Sequence, residues 1–172
     1  DRSYYVRDYD RNFAVREHSL DDQPLPPAAP DSGYYSSTAI AQRAVEFLQQ
    51  HQQQRPDRPF FMYLAFIAPH FPLHAPPDDI ACYRGRYDDG WDAARQGRMQ
   101  RLRDLGIVRC ELPPRQPRTV PRWNLPAAAL AERIGPGEAP RAVSWRSLTP
   151  QQRRFQAGKM EIHAAMVHRL DR

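Results

Sequence analysis

The 172-residue chain lacks a long apolar run, and this absence excludes one structural class. No stretch of about 18 apolar residues occurs, so the sequence predicts no membrane-spanning helix. The longest apolar stretch, from Phe60 to Pro69, has about the length of a buried strand. The first residues also lack the charged, apolar and small-residue succession of a signal peptide. Because the sequence starts at Asp1 rather than at Met, we interpret it as an excerpt of a longer protein.

Lysine and cysteine are both scarce. Lys159 is the single lysine among 25 basic residues, and the net charge is +5. The arginines are scattered rather than gathered on one element, and with the abundant alanine and proline they indicate a coding bias. We therefore predict no nucleic-acid partner, although a basic surface could help to attract an anionic substrate. Cys82 and Cys110 are too few for a disulfide framework and lack the spacing of metal ligands, so we interpret them as ordinary thiols, with one bridge between them as the alternative.

Two common catalytic motifs are missing as well. The chain contains neither a Gly-rich phosphate loop nor the Gly-x-Ser-x-Gly turn that presents a nucleophile. Adjacent acids such as Asp78 and Asp79 could act as a carboxylate pair, but such pairs are more typical of a solvated helix start. These patterns alone identify no reaction.

The histidines include better candidates for site residues. His70 and His74 are four apart, which is the spacing of a metal-binding pair on one face of a helix. Pro72 and the proline before His70 disfavour a regular helix there, so we predict no metal ligands among these residues. His163 and His168 lie on a later predicted helix at a spacing that faces different sides, and we interpret both as structural or solvent-facing.

The order of apolar and proline-rich segments predicts an α/β fold. Apolar residues recur at helical spacing in two long segments, and the segment between them is apolar on both faces, as in a strand buried within a helix-covered parallel sheet. The predicted organisation is loop or short strands over 1–35, a helix over 36–54, a central strand over 59–68, a site loop over 69–76, helical pieces and a Pro-rich loop over 77–148, and a helix over 150–171.

Both long helices carry start signals. Ser36, Ser37 and Thr38 are candidate N-caps of the first helix, which we expect to fray within the Gln-rich run 51–54. The stretch Thr149-Pro150-Gln151-Gln152 predicts a capping box for the last helix.

The carboxyl end of the predicted strand leads directly into Pro69-His70-Phe71-Pro72. Open α/β sheets place their ligands beyond the carboxyl ends of their strands. This position makes His70 the first candidate site residue of the chain.

Two stretches carry a family resemblance. The first is Pro59-Phe-Phe-Met-Tyr-Leu-Ala-Phe-Ile-Ala-Pro-His-Phe-Pro-Leu-His-Ala-Pro76, which resembles the segment of type I sulfatases in which a Phe-rich strand ends in Ala-Pro-His-aromatic-Pro. The second is Tyr83-Arg-Gly-Arg-Tyr-Asp-Asp-Gly-Trp-Asp92, which is similar to the family's Tyr-Arg-Gly-x-Tyr-Asp-x-Gly-Trp stretch. Residues 33–40, 101–107 and 160–171 resemble further segments. The likeness is weakest over 111–143 and is closest to the bacterial arylsulfatase branch.

This resemblance implies part of an alkaline-phosphatase-like sheet sandwiched by helices, with a long Pro-rich excursion, and the hydrolysis of sulfuric esters. His70 matches the histidine that contacts the sulfate group in this family, so we predict a catalytic and substrate-binding role for it. His74 is predicted to bind substrate at the rim, with a structural role as the alternative. The family uses a formylglycine nucleophile and Ca²⁺. The stretch Cys82-Tyr-Arg-Gly-Arg86 has Arg84 where the formylglycine motif has Pro or Ala, so we expect the nucleophile and the metal ligands outside this chain.

The resemblance leaves several alternatives open. A phosphodiester or phosphonate hydrolase of the same superfamily would share these segments, and a truncated, non-catalytic paralogue with a binding role would also fit. We expect the chain alone to be inactive, and the partner of the whole protein to be a small sulfate ester or a sulfated glycan. The family slightly favours a periplasmic or secreted location, while the oligomeric state stays open.

Overall fold

The computed structural model describes residues 18–26, 28, 32–116 and 118–172. The parts of the predicted loop or short strands that fall on residues 1–17, 27 and 29–31 lie outside these ranges. The described residues form two compact units. The first contains the described residues up to Cys82 together with Ile162–Arg172, and the second is Tyr83–Glu161.

A short hairpin precedes the first helix. Strands β1 (His18–Leu20) and β2 (Gln23–Leu25) pair antiparallel, with His18 opposite Leu25. The turn between them contains Asp21 at a φ of 52°, a left-handed conformation that Asp tolerates better than most residues. The described chain contains no further strand, so the sheet seen here has two strands.

Helix α1 (Ser36–Gln54) covers the range that the apolar spacing predicts. Its N-cap is Tyr35, whose side chain makes no capping bond, and the predicted caps are wrong because Ser36 and Ser37 lie buried in the first turn. The other end of the helix lies at the predicted residue. The helix continues to Gln54, because the Arg55 N–H donates to the His51 carbonyl at 2.8 Å and caps the last turn.

The predicted central strand over 59–68 does not form. Residues 59–67 are neither helix nor strand, and Phe61 and Tyr63 are 92% and 81% exposed. A strand needs neighbours that pair with its backbone N–H and C=O groups, and no described segment pairs with this one. The helix-covered sheet predicted around it is therefore absent from the part of the chain that the structure describes.

Two helices follow the loop that contains His70. Helix α2 (Pro77–Ala81) is a single short piece, and helix α3 (Gly90–Asp104) begins the larger part of the second unit. Gly90 has a φ of 82°, and a Cβ atom built on it would overlap the ring of Trp145. Glycine is thus required here both for the backbone conformation and for the close approach of the indole.

The second unit has its apolar core around Trp145, which lies in a 3₁₀ turn (Trp145–Ser147). The Trp91 ring meets the Trp145 ring edge-on, with the centroids 4.8 Å apart. Helix α4 (Ala127–Arg133) buries Leu130, while residues 111–126 contain no helix or strand where described. Most of the Pro-rich stretch is thus irregular, because proline lacks the N–H that helices and sheets use.

The last helix, α5 (Pro150–Leu170), begins with the predicted capping box. The Gln152 N–H donates to Thr149 Oγ1 at 3.2 Å, and the Thr149 N–H donates to Gln152 Oε1 at 3.0 Å. Ala165 and Met166 near its end are fully buried. No helix in the described ranges is long and apolar enough to cross a membrane.

Candidate functional site

His70 lies in a turn after the exposed apolar segment. Its backbone N–H donates to the Ile67 carbonyl at 3.0 Å, and its side chain is exposed. The ring nitrogen Nδ1 lies 2.5 Å from the Phe71 carbonyl oxygen. The next residue thus holds the imidazole locally, at the surface of the first unit.

The contact with Phe71 determines which nitrogen of His70 carries the proton. A carbonyl oxygen can only accept, so Nδ1 must be the donor and the neutral ring has its lone pair on Nε2. A second proton would turn Nε2 into a cationic donor. In that state the ring could donate a charge-assisted hydrogen bond to an anionic oxygen.

His74 lies in the same loop but in a different environment. The Tyr35 hydroxyl donates to the His74 carbonyl at 2.8 Å, and Tyr35 itself is 3% exposed. Because the His74 ring is half-buried, desolvation lowers its pKa below the ordinary value of 6.5. At neutral pH His74 is therefore neutral, which suits a hydrogen-bonding or packing role better than the binding of an anion by charge.

A buried carboxylate fixes the segment just after the loop. Asp79 on α2 is 1% exposed, whereas the neighbouring Asp78 is exposed. Arg172 Nη1 lies 3.1 Å and Arg169 Nη1 lies 3.6 Å from the Asp79 carboxylate, and Arg169 Nε donates to Thr38 Oγ1 at 3.3 Å. The two acids therefore do not form a catalytic pair. Asp79 instead links α2 to the end of α5 and, through Arg169, to α1.

Sequence reasoning missed this cluster. Its charged members are about 90 positions apart, and the Asp78-Asp79 pattern is the same for a solvated helix start as for a buried ion pair. Nothing in the local residue pattern distinguishes the two acids. Only the packing of the helices makes one of them buried.

The other histidines on the helices lie away from the loop of His70 in sequence. The His51 Nε2 atom lies 2.8 Å from the Arg58 carbonyl, and its ring contacts that of Phe60 with the centroids 5.2 Å apart. His163 is exposed on α5, while His168 is partly buried. Both fit the structural or solvent-facing interpretation.

The described residues do not provide a metal site. Within these ranges no three His, Cys, Asp or Glu side chains come together in a group that could hold an ion. Cys82 and Cys110 are exposed free thiols, and Cys82 Sγ donates to the Asp78 carbonyl at 3.3 Å. The donor set of these residues therefore does not fit Ca²⁺.

Comparisons with known proteins agree on one family. The sulfatase family model matches residues 1–155. An uncharacterized sulfatase of Schizosaccharomyces pombe is 36% identical over 138 residues, which cover 80% of this chain and 21% of that protein. An arylsulfatase of Klebsiella aerogenes is 30% identical over 169 residues, which cover 98% of this chain and 28% of that protein. The chain thus spans about a quarter of the length of these curated relatives, and it belongs to the sulfatase family.

Proposed function

We propose that this chain is an internal segment of a sulfatase catalytic domain, and that the whole protein hydrolyses sulfuric esters. The observation that carries the proposal is the family match together with the setting of His70. The imidazole is exposed, and its Nδ1 is bonded to the Phe71 carbonyl, within the Ala-Pro-His-Phe-Pro stretch that resembles the family's site loop.

In this proposal His70 binds the sulfate group in its doubly protonated form. With Nδ1 committed to the Phe71 carbonyl, Nε2 is the nitrogen that would donate to a sulfate oxygen. Such a donor also stabilises charge that develops on the ester oxygens as the sulfur–oxygen bond breaks. His74 would act as a neutral group at the rim, in a loop whose backbone Tyr35 holds in place.

The remaining chemistry belongs to groups that this segment does not supply. The formylglycine and the Ca²⁺ used by the family would come from other parts of the whole protein, and the 172-residue chain alone would be inactive. An assay of 4-nitrophenyl sulfate hydrolysis by the 172-residue chain alone tests whether it is inactive. Turnover that His70→Ala abolishes would contradict the predicted inactivity.

The role of His70 is best tested in the longest polypeptide that contains these residues. We expect His70→Ala to lower kcat/KM for 4-nitrophenyl sulfate by about 100- to 1,000-fold, the usual cost of one lost donor to a developing anion. His70→Gln keeps a neutral donor and should retain part of the activity. The matched control is His163→Ala, which removes an exposed imidazole from α5 and should leave the rate unchanged.

Assays of the same polypeptide distinguish the sulfatase from the alternative functions. Faster hydrolysis of bis-4-nitrophenyl phosphate than of 4-nitrophenyl sulfate would indicate a phosphodiester hydrolase instead of a sulfatase. No turnover of either substrate, with binding of a sulfated glycan retained, would indicate a non-catalytic paralogue. An unchanged sulfatase rate in His70→Ala would refute the role of His70 without refuting the sulfatase activity.

A further inference from the structure

The second unit contains a cavity of about 750 Å³. This volume lies within the range of about 300–1,000 Å³ that is usual for pockets that bind small molecules. Its walls include two tryptophans, three prolines and two valines among the residues that line it. None of these residues belongs to the His70 loop.

The aromatic wall is held in place before any ligand binds. Trp91 packs edge-on against the buried Trp145 ring at 4.8 Å, which limits rotation of its indole. The Trp123 backbone N–H donates to the Pro140 carbonyl at 3.2 Å, so the backbone that carries the second indole is also fixed. Rigid aromatic side chains give contact area to a flat ring at a low entropic cost.

Two residues with buried side chains, Gln156 and Glu138, form the polar part of the cavity wall. Gln156 is 8% exposed, and its Nε2 donates to the Gly137 carbonyl at 3.2 Å and to Glu138 Oε1 at 3.0 Å. Both amide hydrogens are therefore used, and no described residue donates to Oε1. The buried Glu138 carboxylate is compensated by Lys159 Nζ at 2.7 Å, so it does not present an uncompensated negative charge to the cavity.

Three arginines line the cavity, and two of them have partners. Arg95 donates to the Pro113 carbonyl, and Arg115 pairs with Asp92 at 3.0 Å. Arg141 is exposed and makes no ion pair with any residue in the described ranges. A guanidinium matches the oxygens of a sulfate, sulfonate or carboxylate in a bidentate manner.

From these features we propose that the cavity is a binding site for an aromatic anion, a flat ring that carries a sulfate, sulfonate or carboxylate group. The ring lies against Trp91 and Trp123, and its anionic group pairs with Arg141. A hydroxyl or amide substituent on the ring can donate to Gln156 Oε1. The site stands independently of the proposed hydrolytic role of His70.

The test is calorimetric titration of the 172-residue chain with 2-naphthyl sulfate, 2-naphthol and inorganic sulfate. Tryptophan fluorescence gives a second readout, because two of the three tryptophans line this cavity and the third packs against the Trp91 ring. We expect 2-naphthyl sulfate to bind more tightly than either of the other two compounds. Arg141→Gln should weaken its binding about tenfold and leave 2-naphthol unaffected, whereas Trp123→Leu should weaken both naphthyl compounds.

The matched control is Arg122→Gln, which removes an exposed arginine next to Trp123 that does not line the cavity. It should bind as the unchanged chain does, and circular dichroism verifies that each variant is folded. The proposal would be overturned if Arg122→Gln and Arg141→Gln weakened the binding of 2-naphthyl sulfate equally, or if the unchanged chain did not bind this compound. Loss of binding in His70→Ala would also overturn it, since the ligand would then occupy the His70 loop. Failure of His70→Ala to change sulfatase activity bears only on the proposed function.

Discussion

We predict that the effect of Asp79→Asn on the free energy of unfolding changes sign when the two arginines that pair with Asp79 are removed. The Asp79 side chain is 2% exposed, while those of Arg169 and Arg172 are 29% and 59% exposed. In the unchanged chain, Asp79→Asn releases two arginines that water can solvate, so we expect a loss of about 1–2 kcal/mol of unfolding free energy. Replacing both arginines by methionine is worse, because it leaves a buried carboxylate without a cation, at a cost of about 3–5 kcal/mol.

In that double variant, Asp79→Asn removes the uncompensated charge and should recover about 2 kcal/mol. The measurement is urea unfolding followed by circular dichroism. Four proteins are compared: the unchanged chain, Asp79→Asn, the double methionine variant, and the double methionine variant that also carries Asp79→Asn. The control is Asp78→Asn, an exposed neighbour on the same helix, which should stay within about 0.5 kcal/mol in both backgrounds. If Asp79→Asn costs the same with and without the arginines, the ion pairs do not anchor α2.

Three further predictions concern packing, pH and the apolar surface. Gly90→Ala should destabilise the second unit by about 2 kcal/mol more than Gly106→Ala in thermal unfolding, because both glycines have positive φ but only at Gly90 would a Cβ meet the Trp145 ring. Since burial lowers the pKa of His74, the unfolded state binds its proton first. Stability should therefore fall as the pH drops below about 6.5, and His74→Gln should flatten this dependence in urea titrations at several pH values; an unchanged slope would contradict the assignment. Phe61→Asp should reduce the binding of the dye 8-anilinonaphthalene-1-sulfonate more than Ile107→Asp does, because the Phe61 side chain, 92% exposed, has further exposed aromatic residues beside it in the chain.

Local signals in the sequence predicted the features that depend on local interactions. The helix over 36–54 follows from apolar spacing, and the start of α5 follows from a Thr and a Gln three residues apart that satisfy each other's backbone N–H groups. The same reasoning gave a wrong N-cap for α1, which it assigned to the Ser and Thr residues at the start of the helix. Ser36 and Ser37 are helical and buried there, so packing overrides their capping preference.

The candidate site was predictable only in part. The position of His70 after an apolar segment and the family resemblance make it a predicted site residue, whereas the bond from its Nδ1 to the next carbonyl depends on the turn geometry. The Asp79 cluster joins residues distant in sequence, and the cavity of the second unit brings together the start of α3, the Pro-rich stretch and the start of α5. Such long-range juxtapositions leave no periodic pattern that a sequence could reveal.

The proposed function offers a physical reason why the segment over 59–68 does not form the predicted strand. A pattern that is apolar on both faces specifies a strand only where neighbouring strands and covering helices exist to pair and bury it. In this chain Phe60, Phe61 and Tyr63 stay exposed, although full burial of such a side chain stabilises a fold by about 1.5–3 kcal/mol. Under the proposed assignment, the rest of the sulfatase domain covers this surface, and the relatives are long enough to contain such a partner. His70 follows this segment directly, so under the same proposal pairing of the segment would fix the position of the imidazole relative to the groups that the rest of the domain would supply.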